Sequence, residues 1–438
     1  MAGPDEGSTA RLSKRMSGAV DSILPKIRSM IEDRITASSQ PDELKKIDMG
    51  TAENALLHSE ITAIYLQSLE EGLRDHKYLP YPDGFGGAPD LVESLAKFFN
   101  RYFQPRNEVS SSQIVVAPGA TTCLEALLHC ICDPGDGVLV PAPYWNGFNV
   151  TFSIRPQVRI IPFGGGGSVE DTLSSPSRFV TSFEAAIAAS KAPVRALVLT
   201  NPHNPFGRCY AHEMVALCAQ LCQKHNLHFI SDEVYALSVF GGDELDAQPS
   251  SFPSALQLDL QALSVDPDRV HIIWSTSKDF GSSGVRVGAI ISQANERLRA
   301  SLALASNIQV SSLAAVATTG LLTSPELDRL IVLNRQRLKA AYEKVTAFLE
   351  ANGFLYVPAT AGPFVFAKLP GATETLLDEQ RAVQIFASAG VTVSPGTNYG
   401  WGNCQFGWIR ITFAISQLEE GLKRMVIGLE GMISGDMQ

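Results

Sequence analysis

The sequence of 438 residues lacks any stretch rich in lysine and arginine. Its 45 acidic residues outnumber the 35 basic ones, and the formal net charge at pH 7 is −10. A chain of this composition offers no basic stripe that could neutralise a phosphate backbone. We therefore expect no nucleic-acid partner.

An apolar run of membrane-spanning length is also missing. The longest uncharged run, residues 300–325, is interrupted repeatedly by Ser, Thr, Asn and Gln, so it predicts a helix buried in a globular core rather than a membrane span. Residues 1–18 are polar without a signal-peptide stretch, and the final SGDMQ matches no targeting tag. These features predict a cytoplasmic protein with no membrane partner.

Cysteine motifs are absent as well. No CxxC pair and no spacing typical of zinc ligands occurs in the chain. We therefore expect no metal site, and we expect reduced thiols in a reducing compartment. The seven cysteines lie at positions 123, 130, 132, 209, 218, 222 and 404.

The length exceeds what one hydrophobic core usually supports, and this predicts more than one domain. We expect an arm at residues 1–60, a large domain at 61–323 and a smaller domain at 324–438. Segments 163–176 and 241–253 have loop composition. Short apolar runs alternate with helical stretches and predict an α/β fold with a mainly parallel sheet wrapped by helices; the runs are 114–117, 137–141, 196–200, 228–231, 270–274 and 287–291.

The segment STSKDFGSSGVR (275–286) follows one of these runs and places a lysine among hydroxyls and glycines. Burial would lower the pKa of the Lys278 amine, which suits a lysine that forms a Schiff base. Ser275, Ser277 and Arg286 could then donate hydrogen bonds to one phosphate. The alternative is an ordinary surface lysine after a strand.

Two further runs end in polar motifs, NPHNP (201–205) and DEVY (232–235). Their side chains would project from the carboxyl edge of the sheet, where α/β proteins bind ligands. A buried Asp232 needs a partner, and a protonated pyridine nitrogen would serve. Asn204 and Tyr235 would donate to the oxygen of the same ring. The alternatives are a plain turn at NPHNP and a helix cap at Asp232.

A strand, a glycine turn and a helix start coincide at residues 114–125. Ala120 and Thr121 would present free N–H groups to an anion, and Thr122 and Glu125 have the spacing of a capping box. Trp145 in PAPYW follows another strand and could stack on the pyridine ring. A simple capped helix and a core tryptophan are the alternatives.

In this order the motifs resemble those of class I and II aminotransferases, particularly the branch similar to 1-aminocyclopropane-1-carboxylate synthase. The resemblance extends over about residues 47–425 and includes AEN at 52–54 and the late Arg410. It implies a fold-type-I enzyme that depends on pyridoxal 5′-phosphate (PLP). Such enzymes have a large domain with a mainly parallel central sheet and a smaller α+β C-terminal domain.

The resemblance also implies a role for each matching residue. The chemistry would take place at Cα of an amino acid, through an external aldimine and a quinonoid, with the freed lysine as base. Lys278, Asp232 and Tyr235 would be catalytic, and Ala52, Phe85 and Arg410 would contact the substrate, Arg410 at its carboxylate. The cofactor would be held by Ala120, Thr121, Trp145, Asn204, Asp232, Tyr235, Ser275, Ser277, Lys278 and Arg286.

Two positions depart from the synthase pattern. Phe85 stands where the synthases and typical aminotransferases carry a tyrosine, and Trp145 replaces the synthase's tyrosine. We therefore expect aminotransferase-like chemistry, or elimination by a carbon–sulfur lyase as in similar members of fungal secondary-metabolite clusters. The alternatives are cyclopropane formation from S-adenosylmethionine and an inactive binding or regulatory protein. The family's loop around Phe85 and its segment near 307–312 imply a homodimer with shared active sites.

Overall fold

The computed structural model describes residues 12–38, 45–74, 76, 78–164, 168–242, 252–371, 374–400 and 405–434. The helices are α1 (Lys14–Ser38), α2 (His58–Leu73), α3 (Pro89–Tyr102), α4 (Ala120–Ile131), α5 (Gly147–Ile154), α6 (Val169–Leu173), α7 (Pro176–Ala189), α8 (His212–Lys224), α9 (Thr276–Asp279), α10 (Glu296–Ser306), α11 (Ser312–Thr323), α12 (Leu327–Ala351), α13 (Leu376–Ser388) and α14 (Leu418–Ser434). The strands are β1 (Ile47–Asp48), β2 (Ile114–Ala117), β3 (Gly137–Ala142), β4 (Arg159–Gly164), β5 (Val194–Thr200), β6 (His228–Asp232), β7 (Val270–Ser275), β8 (Gly288–Ile291), β9 (Leu355–Val357), β10 (Phe364–Lys368), β11 (Val391–Thr392), β12 (Ser394–Pro395) and β13 (Trp408–Thr412).

A seven-stranded sheet in the order β2-β8-β7-β6-β5-β3-β4 forms the large domain. Strand β8 runs antiparallel to both of its neighbours, and the other pairs are parallel. Side chains alternate between the two faces: Leu197 and Leu199 of β5 point to one core, and Ala196 and Val198 point to the other. Helices cover both faces, so the predicted α/β fold with a mainly parallel sheet is confirmed.

The predicted loop at 163–176 is wrong. Phe163 and Gly164 belong to the edge strand β4, and α6 lies further along the same segment. Phe163 is buried against Phe179 and Phe183, with ring centroids 5.1 and 5.5 Å apart. As β4 is an edge strand with one deeply buried side chain, the segment carries no clear apolar period. The other predicted loop, 241–253, lies outside the described residues from 243 to 251.

The expected single buried helix at 300–325 is also wrong. It is split into α10 and α11 by residues 307–311, where Ile308 adopts a positive φ of 60°. Ser311 starts α11 because its side chain accepts a hydrogen bond from the backbone N–H of Leu313. Among the helices in the described part of the chain, none combines the length and the hydropathy that crossing a bilayer requires.

The smaller domain contains the antiparallel sheet β12-β13-β10-β9, packed by α12, α13 and α14. Strand β1 pairs with β11, and Ile47 and Met49 pack into this domain's core. Helix α12 spans the two domains: Leu330 and Ile331 belong to the large core, and Leu338 and Val345 belong to the small one. The confirmed fold class thus includes a C-terminal antiparallel sheet domain, and the predicted boundaries at 60 and 323 stay predictions.

Candidate active site

The carboxyl ends of β5, β6 and β7 bring the predicted polar groups to one edge of the sheet. Asp232 is the last residue of β6, and Ser275 is the last residue of β7. The short helix α9 begins immediately after Ser275, whose hydroxyl accepts a hydrogen bond from the Ser277 N–H at 3.4 Å. Both serines are buried. This turn directs Lys278 into the site.

The Lys278 amine is enclosed, and its Nζ donates to the Ala52 carbonyl at 2.7 Å. Burial lowers the pKa of this amine, while the charge of Glu53 opposes the shift and that of Arg410 adds to it. A lysine with a lowered pKa is neutral in a larger fraction of molecules and is a better nucleophile and base. The alternative of a surface lysine does not describe this environment.

Asp232 is buried, and its Oδ1 atom has no hydrogen-bond partner within the described ranges. Burial raises the pKa of this carboxyl to about 7, although hydrogen bonds from Val234 and Thr200 lower it. Asp232 closes a strand and does not cap a helix. A protonated ring nitrogen beside Oδ1 would supply the missing donor and restore the charge of the carboxylate.

The residues predicted to hold an anion lie where α4 begins. Gly119 precedes the helix with φ +82°, and a Cβ there would lie 2.4 Å from Arg286 Nη2. Arg286 is held by the carbonyls of Pro118 and Ser283, at 2.7 and 2.8 Å. Its guanidinium therefore lies directly beside the first turn of α4, which contains Ala120. The N–H groups of a first helical turn and an adjacent arginine together suit a phosphate.

The predicted capping box at Thr122 and Glu125 is wrong. Because α4 already starts at Ala120, Thr122 lies inside the helix, and its hydroxyl donates to the Pro118 carbonyl at 3.1 Å. Glu125 instead pairs with Arg155 at 2.9 Å. The helix start has no side-chain cap, which leaves its N–H groups available to an anion.

Arg410 is 3 % exposed in the middle of the small sheet. Its Nη1 donates to Asn204 Oδ1 at 3.0 Å, and its Nη2 donates to the Gly50 carbonyl. The guanidinium lies over the rings of Phe364 and Tyr399, at 4.9 and 5.2 Å from their centroids. Its Nε has no partner within the part of the chain that is described. A substrate carboxylate would complete this environment.

The remaining predicted residues differ from one another in how deeply they are buried. Tyr235 is buried and meets Phe364 edge to face at 5.4 Å, and burial raises the pKa of its hydroxyl, which stays a donor. Trp145 follows β3, half-buried against Phe148 at 5.5 Å. Phe85 lies on the surface of the single chain, 62 % exposed. Its predicted role would need a neighbouring subunit.

The sequence analysis missed several residues of this site. Glu53 accepts from the Ser283 hydroxyl at 2.8 and 3.0 Å, and Asn54 donates to the Lys278 carbonyl at 3.0 Å. Both belong to the AEN motif, so their place in the chain was a usable signal. Asn334 gave none, because a polar residue inside a long amphipathic helix usually faces water.

Comparisons with known proteins agree on one family. The model of the family described as aminotransferase class I and II matches residues 45–425. The probable aminotransferase aclI of Aspergillus oryzae is 46 % identical over 95 % of this chain and 97 % of its own length. The probable aminotransferase gliI of Aspergillus fumigatus is 37 % identical over 88 % of this chain and 90 % of its own.

A solved structure and a plant protein are also similar to this chain. A double mutant of Thermus thermophilus aspartate aminotransferase superposes with a TM-score of 0.73 at 22 % identity, covering 96 % of this chain and all of its own. The 1-aminocyclopropane-1-carboxylate synthase 4 of Solanum lycopersicum is 28 % identical over 84 % of this chain and 77 % of its own length. The resemblance inferred from the motifs is confirmed.

Proposed function

The chain belongs to the class I and II aminotransferase family, whose cofactor is PLP, and from this premise we propose that it acts at Cα of an amino acid. One observation carries the proposal. Asp232 Oδ1, a buried acceptor, and Arg410 Nε, a buried donor, both lack partners within the described ranges and belong to the same site. The ring nitrogen of PLP would pair with the first, and a substrate carboxylate with the second.

The residues present fit this cofactor. The first turn of α4, the two serines at 275 and 277, and Arg286 would hold its phosphate. Asn204 and Tyr235 would hold the ring oxygen, and Trp145 would stack on the ring. When bound, PLP supplies an electron-withdrawing ring that stabilises negative charge at Cα.

The protein's own groups would perform the remaining tasks. Arg410 orients the substrate by its carboxylate, and the buried Phe364 and Tyr399 rings keep water from that ion pair. The Lys278 amine, whose pKa is lowered by burial, takes the proton from Cα. Asp232 keeps a negative charge beside the ring nitrogen throughout.

We further propose an aminotransferase-like reaction on a substrate with a bulky, partly apolar side chain. Removal of a thiolate from a cysteine conjugate, in secondary metabolism, is the second candidate. The relatives from Aspergillus and the phenyl group of Phe85 support both over cyclopropane formation. Phe85 brings no hydroxyl to the substrate, so it cannot donate or accept a proton there.

Product analysis distinguishes these reactions. An aminotransferase should bleach the cofactor absorption band in one turnover with an amino acid and regain it when a 2-oxo acid is added. A lyase should retain the band through many turnovers and release a thiol, ammonia and an oxo acid from a cysteine conjugate. With S-adenosylmethionine we expect little or no cyclopropane product, measured beside the Lys278→Ala protein as a blank. Abundant cyclopropane product would contradict the role given to Phe85.

We propose that a second copy of the chain covers an apolar face and shares the site. Helices α2 and α11 are in close contact, because a Cβ at Gly72 would lie 2.6 Å from Val316. The segment that contains Phe85 lies against α10, because a Cβ at Gly86 would lie 3.5 Å from Ala303. Exposed apolar side chains occur on α2, α10 and α11 and in the segments that follow α2 and α10, and such a face usually marks an interface. They are Leu66, Leu79, Tyr81, Phe85, Leu304, Ile308 and Leu313.

The Leu304→Glu/Ile308→Glu double variant tests this interface. We expect light scattering to show a dimer for the wild-type protein and a monomer for the variant, with turnover lost in the monomer. Leu377→Glu is the control, because Leu377 is 72 % exposed, like Leu304 at 73 %, but lies on α13 of the small domain. A fully active wild-type monomer at assay concentration would contradict the proposal.

The cysteines support a reducing compartment, and we propose the cytoplasm. Six of them are described, and all six are free thiols, four of them buried. Burial raises the pKa of the Cys123 and Cys218 thiols, so they are unreactive packing groups.

A further inference from the structure

The backbone of Lys278 is held by an asparagine that the mechanism above does not use. Asn54 is buried, and its Nδ2 donates to the Lys278 carbonyl at 3.0 Å and to Asn334 Oδ1 at 2.9 Å. Its Oδ1 accepts from the Leu56 N–H at 3.2 Å. Each polar atom of this amide is therefore committed, as expected for a group that fixes one geometry.

The second asparagine extends the same contact. Asn334 is buried on α12, and its Nδ2 donates to the Asp279 carbonyl at 3.2 Å. The Asp279 carboxylate accepts from Trp274 Nε1 at 2.9 Å and from the Ser238 hydroxyl at 2.7 Å. The two carbonyls at the end of α9, which is only four residues long, are thus both held by side-chain amides. A helix this short does not fix them by itself.

The backbone on either side of Asn54 is also packed against the lysine segment. The Lys278 amine donates to the Ala52 carbonyl at 2.7 Å. Gly281 has φ +58°, and a Cβ there would lie 1.9 Å from the Asn54 carbonyl oxygen. The stretch 52–54 therefore touches the lysine at its amine, at its carbonyl and at the turn that follows.

The residues on either side of this stretch are hydrogen-bonded to the small domain. The Ala55 N–H donates to the Ala414 carbonyl at 2.8 Å, and the Gly50 carbonyl accepts from Arg410, the residue assigned to the substrate carboxylate. Asn334 lies between the large-core and small-core residues of α12. The lysine is therefore held by a stretch whose flanking residues are hydrogen-bonded to the small domain, which also carries Arg410.

We propose that Asn54, supported by Asn334, is a positioning residue that fixes Lys278 relative to the Arg410 carboxylate site. The inference rests on the proposed roles of Lys278 and Arg410. Asn54 touches neither substrate nor cofactor in this assignment and acts through the lysine backbone. Its removal lets the amine shift out of its enclosed place toward water.

Cofactor uptake by the apoenzyme tests this independently of turnover. Only the neutral amine condenses with PLP, so the uptake rate follows the free-amine fraction of Lys278. The charged groups acting on this amine are Glu53, Arg410, Arg286 and Asp232, and none of them is altered in Asn54→Ala. We expect the pH midpoint of the uptake rate to rise by about one unit, which is about tenfold slower uptake below the midpoint.

Steady-state kinetics should show the same loss of position. A displacement of the amine by about 1 Å is expected to lower kcat by up to about 10²-fold. KM should change little, since Arg410 is intact. Asn334→Ala should show part of this loss of kcat. In the Asn54→Ala/Asn334→Ala double variant the loss should be smaller than the two single losses combined, because both residues act on one contact.

Asn100→Ala is the matched control. Asn100 lies on α3, and its amide makes two side-chain hydrogen bonds against three for Asn54: it donates to the Val109 carbonyl at 2.9 Å and accepts from the Val109 N–H at 2.8 Å. We expect Asn100→Ala and Asn54→Ala to lower Tm by a similar few degrees. The pH midpoint of cofactor uptake and kcat should change only in Asn54→Ala.

Unchanged midpoint and kcat in Asn54→Ala would overturn the inference and leave the proposed function standing. Wild-type apoenzyme that takes up no cofactor would refute the proposed function instead. If Asn54→Ala does not fold, Asn334→Ala is measured in the same way and decides by the same two outcomes.

Discussion

Lys278→Ala is expected to abolish covalent attachment of PLP and to lower turnover on the order of 10⁴-fold. One amine serves as the cofactor's anchor and as the base at Cα, so no second group replaces it. Absorbance after incubation with PLP follows the attachment. Borohydride reduction followed by peptide mass analysis should place the cofactor on Lys278 in the wild type and on no residue of this peptide in the variant.

Lys224→Ala provides the control for this change. Lys224 is an exposed lysine at the end of α8, before β6 begins, whereas Asp232 lies at the other end of that strand. It pairs with Glu184 at 2.6 Å, and its loss should leave the spectrum and turnover unaltered. A colourless wild-type protein after incubation, or an unchanged spectrum in Lys278→Ala, would contradict the assignment of the lysine.

The second large effect is expected for Asp232→Asn, with turnover lower on the order of 10³-fold. The change removes the charge that keeps the ring nitrogen protonated, and several kcal/mol of stabilisation at Cα are lost with it. Cofactor should remain bound through the anion site near Arg286, which absorbance reports. Near-normal turnover would show that Asp232 does not pair with the ring.

The same variant should be more stable than wild type in the cofactor-free state at alkaline pH. Burial raises the pKa of Asp232 from 3.8 to about 7. Between these values the unfolded chain has lost the proton that the folded chain retains, so wild-type stability falls as pH rises from about 4 to 7. Asparagine removes this loss, worth up to about 4 kcal/mol. Urea unfolding at pH 5 and pH 8 measures it.

Glu233→Gln separates the loss of turnover expected for Asp232→Asn from the effect of neutralising a buried carboxyl. Glu233 is equally buried, with a pKa raised to about 7 by burial, and it accepts hydrogen bonds from Ser231, Ser254 and Ala255. These partners fix a neighbouring segment and not the cofactor. We expect turnover within about tenfold of wild type, and a thousandfold loss here would show that the Asp232 effect is not specific.

Much of the large sheet was predictable because buried parallel strands are continuous apolar runs. Residues 196–200 and 228–231 fall within β5 and β6, and the polar motifs after them lie at the carboxyl edge as expected. Edge strand β4 was not predicted, because a strand with one deeply buried side chain has no apolar period. Local patterns identify a strand where its residues form a continuous apolar run or alternate between apolar and polar, and β4 does neither.

The cofactor half of the site was more predictable than its surroundings. Asp232 is the last residue of β6 and Lys278 comes three residues after the end of β7, so local sequence indicates the edge of the sheet at which they lie. Arg410 was interpretable only through resemblance, as its rings, Phe364 and Tyr399, come from other segments. Asn54 and Asn334 meet across 280 positions of sequence, and no local pattern encodes such a contact. The break in 300–325 depends on a serine cap, which an apolar count overlooks.

The reversed direction of β8 limits how the chain can change in length. Lys278 and Arg286, which we propose binds the phosphate, both lie in the single connection from Ser275 to Gly288. Loops usually accept inserted residues at small entropic cost. An insertion here would separate the amine from the guanidinium, whereas the long crossover between β6 and β7 can lengthen without moving either. Insertions in the β6–β7 connection should therefore be tolerated, whereas insertions in the β7–β8 connection should abolish activity.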